Sequence, residues 1–261
     1  MTPGTPTPQA HDPGTPNMKT MGAVQLLTHL SAELELLDAV RGAELSIQVP
    51  ACPDWDLHGL LAHLGVVHRY AQRMMATAPG EPVPAAVDRP PAGRDIHDWL
   101  SSGLSTLIAS MQADDPDRPC QFWGGDTTVG WWIRRQAHET SIHRWDAHTA
   151  TGHVGPIDGG HIDGGLAADG ISEWLDMQPA RGWSPAADVR GSAHLHGTDG
   201  PGEWLVHLGD EMTYELGHHK GDVAVRGDRD QLLLLLWGRV PTSKVEVIGD
   251  TELLDRWVAS L

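Results

Sequence analysis

The chain has 261 residues, is 40% hydrophobic, and carries 18 Lys and Arg against 35 Asp and Glu, a formal net charge of −17. The acidic excess runs through both halves, with 10 basic against 17 acidic groups in 1–150 and 8 against 18 in 151–261. Such a surface repels phosphate backbones and excludes a nucleic-acid binder, and no run of about 18 apolar residues is present to span a membrane.

Two cysteines, Cys52 and Cys120, suit a reducing compartment, and a cytoplasmic location is expected. Residues 1–17, MTPGTPTPQAHDPGTPN, have neither a basic start nor an apolar stretch, and read as a disordered Pro/Thr/Gly tail rather than a signal peptide. A first amphipathic helix is predicted over about 20–40, with Val24, Leu27, Leu30, Leu34 and Leu37 on its apolar face and Gly42 as a stop. A second is predicted over 57–77. Asp56 is its N-cap, Pro79 its stop, and Leu57, Leu60, Leu61, Leu64, Val67, Ala71 and Met75 its buried stripe. On that helix His63 lies at the edge of the stripe and is read as aimed inward, while His58 and His68 fall nearer the polar side. Residues 78–93 hold five prolines and read as an extended loop. A third helix is predicted over about 94–112, and 113–129 is read as a loop rich in Asp, Gly and Pro.

Residues 131–150, WWIRRQAHETSIHRWDAHTA, contain no Gly or Pro and are predicted as one helix of about five turns. Residues four apart stack on one helix face, so Glu139 and His143 project together. A carboxylate and an imidazole one turn apart supply two ligands of a three-ligand metal site, and His63 on the second helix is the third candidate. The HETSIH run is not the HExxH of zinc proteases, because His138 and His143 are five apart. Nor is it the Glu-x-x-His of di-iron bundles, and two cysteines cannot form a Cys₄ zinc site.

After 160 the pattern changes. A further helix is predicted over 161–177, then short strands at 189–196, 204–208, 212–216 and 223–226, separated by Gly and Asp turns. The run 232–237 reads as a fully buried helix segment or strand, with length and Leu content favouring helix; 245–248 reads as a last strand and 250–261 as a last helix. The fold class is α+β: a metal-binding four-helix bundle over 18–155, then a small α/β domain over 156–261.

Three stretches, PDWDLHGLLAHLG (53–65), HETSIHRWDAH (138–148) and GEWLVHLGDEMTYELGHHKGDVAVRGDRDQLLLLLWGR (202–239), resemble the mycothiol-dependent maleylpyruvate isomerase family, within the wider DinB-like group of metal-binding four-helix bundles. The resemblance covers nearly the whole chain after residue 18. It implies a divalent metal, zinc by default, on His63, Glu139 and His143, the residues that the helix-face argument had already brought together. It also implies mycothiol as thiol cofactor. Three protein ligands leave a coordination position open for catalysis, and a coordinated thiol is deprotonated at neutral pH. The implied reaction is addition of the thiolate to an electrophilic carbon of a small-molecule substrate. For maleylpyruvate this gives an enolate, rotation about the former double bond and expulsion of the thiolate; another electrophile would retain the thiol.

An anionic substrate needs cationic partners. Arg144 follows a ligand directly and points off the metal face. Arg226 and Arg239 are the candidates from the C-terminal domain, with Arg239 favoured as the catalytic cation. Asp146 reads either as a salt-bridge former or as the acceptor for the free ring N–H of His143. His138 reads as structural or exposed, Trp131, Trp132 and Trp145 as packing, and His218 and His219 as an exposed turn. Cys52 precedes a helix N-terminus, where thiol pKa values fall, and is taken as inert. Two other readings compete: a zinc-dependent hydrolase, which would need no thiol, and a non-catalytic binding protein with a sterol-carrier-like C-terminal domain.

Overall fold

The computed structural model describes residues 21–86, 88–90, 95–122, 125–152 and 161–261. The expected tail over 1–17 and the expected domain boundary near 155 lie outside them. Helix α1 (Ala23–Asp38) buries Leu26, Leu30, Glu33 and Leu37 at alternating three- and four-residue spacing. Helix α2 (Leu57–Ala76) begins as predicted: the Asp56 carboxylate accepts the Gly59 N–H at 2.8 Å, a cap worth roughly 1 kcal/mol. Asp95 caps α3 (Ile96–Gln112) in the same way. Helix α4 (Val129–Thr151) is capped by Thr128 and stopped by Gly152 at φ 75°, a left-handed conformation that favours glycine.

Helix α4 packs against α1 and α2, and α3 packs against the same two from the other side. The result is a four-helix bundle in which every residue of 132–148 except Arg134 and Glu139 is buried. So complete a burial forces the polar groups of α4 to find partners. Leu57, Leu60, Leu61 and Leu64 are wholly buried, and each contributes about 1.5–3 kcal/mol from leaving water. That stripe fixes the rotation of α2 and hence the direction of its histidines. It continues through His68, four past Leu64 and three before Ala71. His68 is therefore fully buried, with Nε2 3.0 Å from Thr140 Oγ1, and the expectation that it lies on the polar side is corrected. Helices α2 and α3 meet closely at Gly65, where a Cβ would overlap the Trp99 ring.

The stretch expected as a loop between α3 and α4 holds an antiparallel hairpin, β1 (Pro119–Phe122) and β2 (Gly125–Thr128). It is pinned by tertiary bonds: Gln121 N–H donates to Thr77 O at 3.2 Å and the Trp132 indole to Gln121 O at 2.8 Å. Its strands are too short for alternation to announce them.

Helix α5 (Gly164–Ala180) leads into β3 (Gly191–Gly197), β4 (Glu203–Leu208) and β5 (Thr213–Leu216), an antiparallel meander. The chain then crosses back, and β6 (Val223–Gly227) joins β3 in parallel; β7 (Glu246–Gly249) completes the sheet in the order β5-β4-β3-β6-β7. The Leu-rich run forms α6 (Arg229–Leu236), buried from Leu232 to Leu236, and α7 (Thr251–Ala259) buries Leu253, Leu254 and Trp257. Ala193, Leu195, Val223 and Val225 are buried on the sheet face towards α6, and the Trp204 indole donates to Ser172 Oγ of α5 at 2.9 Å. The architecture is α+β, a helical bundle followed by a strand-rich α/β unit. No helix among the described residues is long and apolar enough to cross a membrane.

Candidate functional site

Glu139 and His143 project from one face of α4, and His63 meets them from α2. Glu139 Oε1 lies 3.2 Å from His63 Nε2 and 3.4 Å from His143 Nε2. The two imidazole rings stand edge to face with centroids 5.2 Å apart. All three donor atoms fall within 4.8 Å of one another. Ligands about 2.0–2.1 Å from a tetrahedral zinc lie about 3.3 Å apart, so this donor set has the span and chemistry of a three-ligand divalent site. His63 has a third of its side chain exposed, whereas those of Glu139 and His143 are largely covered; the cluster therefore opens to solvent on the His63 side.

The surrounding groups orient the three. Asp146 is wholly buried, and its Oδ2 lies 2.8 Å from His143 Nδ1, which leaves Nε2 facing Glu139. Arg239, from the chain segment after α6, clamps Asp146 through Nε at 3.0 Å and Nη2 at 2.9 Å, and donates to Trp237 O at 2.8 Å. Arg135, one turn before Glu139, donates to Glu139 Oε2 at 2.6 Å and also pairs with Glu173 of α5. With Oε2 held by Arg135, Oε1 is the oxygen turned to the histidines. Trp55 stacks on His63 with centroids 4.6 Å apart.

Burial opposes charge at Glu139 and at His143, and at both the partners outweigh it. Burial raises the Glu139 carboxyl pKa, but Arg135, His143 and His63 hold it well below the usual range. Burial lowers that of His143, but hydrogen bonds to Asp146 and Glu139 push it up to about 9. Cys52 has the surroundings of the inert thiol expected of it, and they act against the lowering that a helix terminus brings. Burial and then Asp146, 3.8 Å from its Sγ, push the thiol pKa up despite Arg239 at 3.5 Å. It is thereby a poor nucleophile.

Of the other residues singled out in the sequence, Arg144 pairs with Glu33 of α1 at 2.8 Å, off the cluster. Arg226 pairs with Glu246 on the sheet at 2.9 Å and does not join it. His138 is buried against Asp169 of α5 at 2.7 Å, a structural clamp. Trp132 is packed, as expected. Sequence reading missed Arg135, Glu173 and Trp55. Only Arg135 carried a legible signal, its i,i+4 spacing to Glu139. His218, read as an exposed turn, is exposed but bonds Glu203 at 2.6 Å.

Residues 27–148 match the model of the mycothiol maleylpyruvate isomerase N-terminal domain, and residues 165–256 match the MDMPI C-terminal domain of the same family. No curated protein sequence matches the chain significantly. Among solved structures, a histidine-to-alanine variant of a mycothiol-dependent maleylpyruvate isomerase superposes with TM-score 0.60 at 14% identity, covering 87% of this chain and 93% of that one. A second structure of a mycothiol-dependent maleylpyruvate isomerase gives TM-score 0.54 at 16% identity, with 86% and 89% covered. At such identities the superpositions speak for the fold, and the two domain matches, in order and over most of the length, place the chain in the mycothiol-dependent maleylpyruvate isomerase family.

Proposed function

We propose that the chain is an enzyme that holds one divalent metal, zinc, on His63, Glu139 and His143. With mycothiol it adds a thiol to an electrophilic small molecule, either isomerising maleylpyruvate or carrying out a related thiol transfer. The observation that carries this reading is the convergence of His63, His143 and Glu139, with Glu139 Oε1 at tetrahedral-edge distance from both Nε2 atoms and all three donors within 4.8 Å, open on one side. A metal so held would supply Lewis acidity, lowering the pKa of a thiol so that it is a thiolate at neutral pH.

The protein's own residues do the rest. Asp146 keeps the His143 Nδ1 proton and so directs the Nε2 lone pair inward. Arg135 neutralises the outer oxygen of Glu139 and fixes its rotamer. Arg239 is a positioning residue: it clamps Asp146 and places a cation beside the cluster, where charge builds up on an anionic substrate. The raised pKa of Cys52 favours an exogenous thiol over a protein one.

The test is metal content and turnover of wild type and His63→Ala. One zinc equivalent fewer per chain in the variant than in wild type while the far-UV circular dichroism is unchanged, and maleylpyruvate turnover only with mycothiol, are expected. Turnover of small esters or amides without any thiol would instead support a hydrolase. A chain that takes up no zinc would remove the metal reading altogether.

A further inference from the structure

The sheet face turned away from α6 carries a second group of donors. His194 and His196 lie two apart on β3 and so share a face; Glu203 is the cross-strand partner of His196 on β4. His218 arrives from the turn after β5. Glu203 Oε2 lies 3.0 Å from His194 Nε2, 3.4 Å from His196 Nδ1 and 2.6 Å from His218 Nδ1. The four donor atoms are within 4.8 Å of one another, and the rings meet edge to face with centroids 5.1–6.1 Å apart.

We propose that His194, His196, Glu203 and His218 form a second, closed metal site that binds a borderline divalent cation such as zinc. Three imidazoles and one carboxylate, without thiolate, suit such an ion. Three imidazole nitrogens crowd one carboxylate oxygen here, an arrangement that a shared cation would satisfy at once.

The turn that brings His218 is held independently of any ion. Gly217, at φ 121°, bends the chain back over the sheet, and its N–H donates to Glu203 O at 3.1 Å. At the far end Asp222 accepts from Ser192 N and Oγ, both at 2.8 Å. The backbone thus holds the 217–222 turn against β3 and β4. His194 is 5% exposed, so packing holds its ring against Glu203. Four protein ligands close a tetrahedron, so the site would tie the β3–β4 hairpin to the 217–222 turn rather than carry out chemistry. His194, His196 and His218 themselves line a groove of about 540 Å³, together with Lys220 and Arg226.

The experiment uses the untagged full-length chain, stripped with chelator and titrated with zinc chloride against a zinc indicator dye. Circular dichroism and Tm are followed in parallel. Wild type is expected to bind two equivalents and His63→Ala one. The His196→Ala/His218→Ala double variant, cut at two partly or fully exposed side chains, is expected to lose one equivalent and its zinc-dependent rise in Tm while keeping its fold. Glu203→Gln, which preserves shape, should weaken the same equivalent. The proposal is overturned if His63→Ala binds no zinc with its fold intact, or if the second equivalent survives in both the double variant and Glu203→Gln. A wild type with one equivalent, insensitive to His63→Ala but lost in the double variant, would uphold this site and sink the one on the bundle.

Discussion

Asp146 shows how much of the candidate centre depends on residues that do not face it. Its two oxygens divide their bonds between His143 Nδ1 and the Arg239 guanidinium, with no exposure to water. If His143 is a ligand, Asp146→Asn removes the carboxylate that fixes the tautomer, and zinc affinity is expected to fall about 10–100-fold, the usual consequence of losing such a partner. Chelator competition at constant circular dichroism reads this directly. Unchanged zinc affinity would mean that Asp146 serves the fold alone. The spacing of Asp146 from His143 was visible in the sequence, but its burial and its bond to Arg239 were not. Those bonds join residues 93 positions apart, and no local pattern encodes such a contact.

At the scale of elements, the seam between α4 and α5 joins the bundle to the strand-rich unit. Asp169 of α5 accepts from Arg134 at 2.7 Å and pairs with His138 at 2.7 Å, and it also takes the Met21 N–H at 3.1 Å. Burial works against its charge, yet His138 and Arg134 hold its pKa down to about 2. Asp169→Ala leaves Arg134 and His138 without their buried partner, and a loss of about 3–5 kcal/mol is expected. Urea unfolding measures it, and a loss near zero would show that the seam is not held by this pair. The sequence made α4 legible through its lack of Gly and Pro. It gave no sign that nearly every face of that helix is covered, because a helix rich in His, Arg and Asp normally keeps one face in water.

For the molecule as a whole, His68 sets an acid limit. Burial depresses its pKa from 6.5 to about 3, so the unfolded chain binds a proton that the folded chain refuses. Between these values the unfolded state therefore holds more protons, and stability falls as the pH falls, by up to roughly 1.4 kcal/mol per pH unit from this group. Above pH 6.5 the contribution is constant. Asp169 adds its own loss only as the pH drops below its ordinary 3.8. Wild type should thus lose stability more steeply than His68→Gln between pH 6 and 5, by denaturant midpoint at each pH. Equal slopes would show that His68 is hydrated or protonated in the native state.

The sequence by itself determined the α+β order of elements, the cap at Asp56, and the pairing of Glu139 with His143. Each of these rests on spacing within one helix or strand, where 3.6- and 2-residue periods translate position into direction. It also yielded the family, through motifs that the two domain matches bear out. Only the tertiary structure decided that His68 continues the buried stripe of α2, that 119–122 and 125–128 pair as strands, and that Arg239 rather than Arg226 reaches the cluster. It likewise gathered His194, His196, Glu203 and His218 on one sheet face. The physical reason is common to these: burial, field and donor geometry are set by neighbours distant in the chain, and they act only once the chain has closed upon itself.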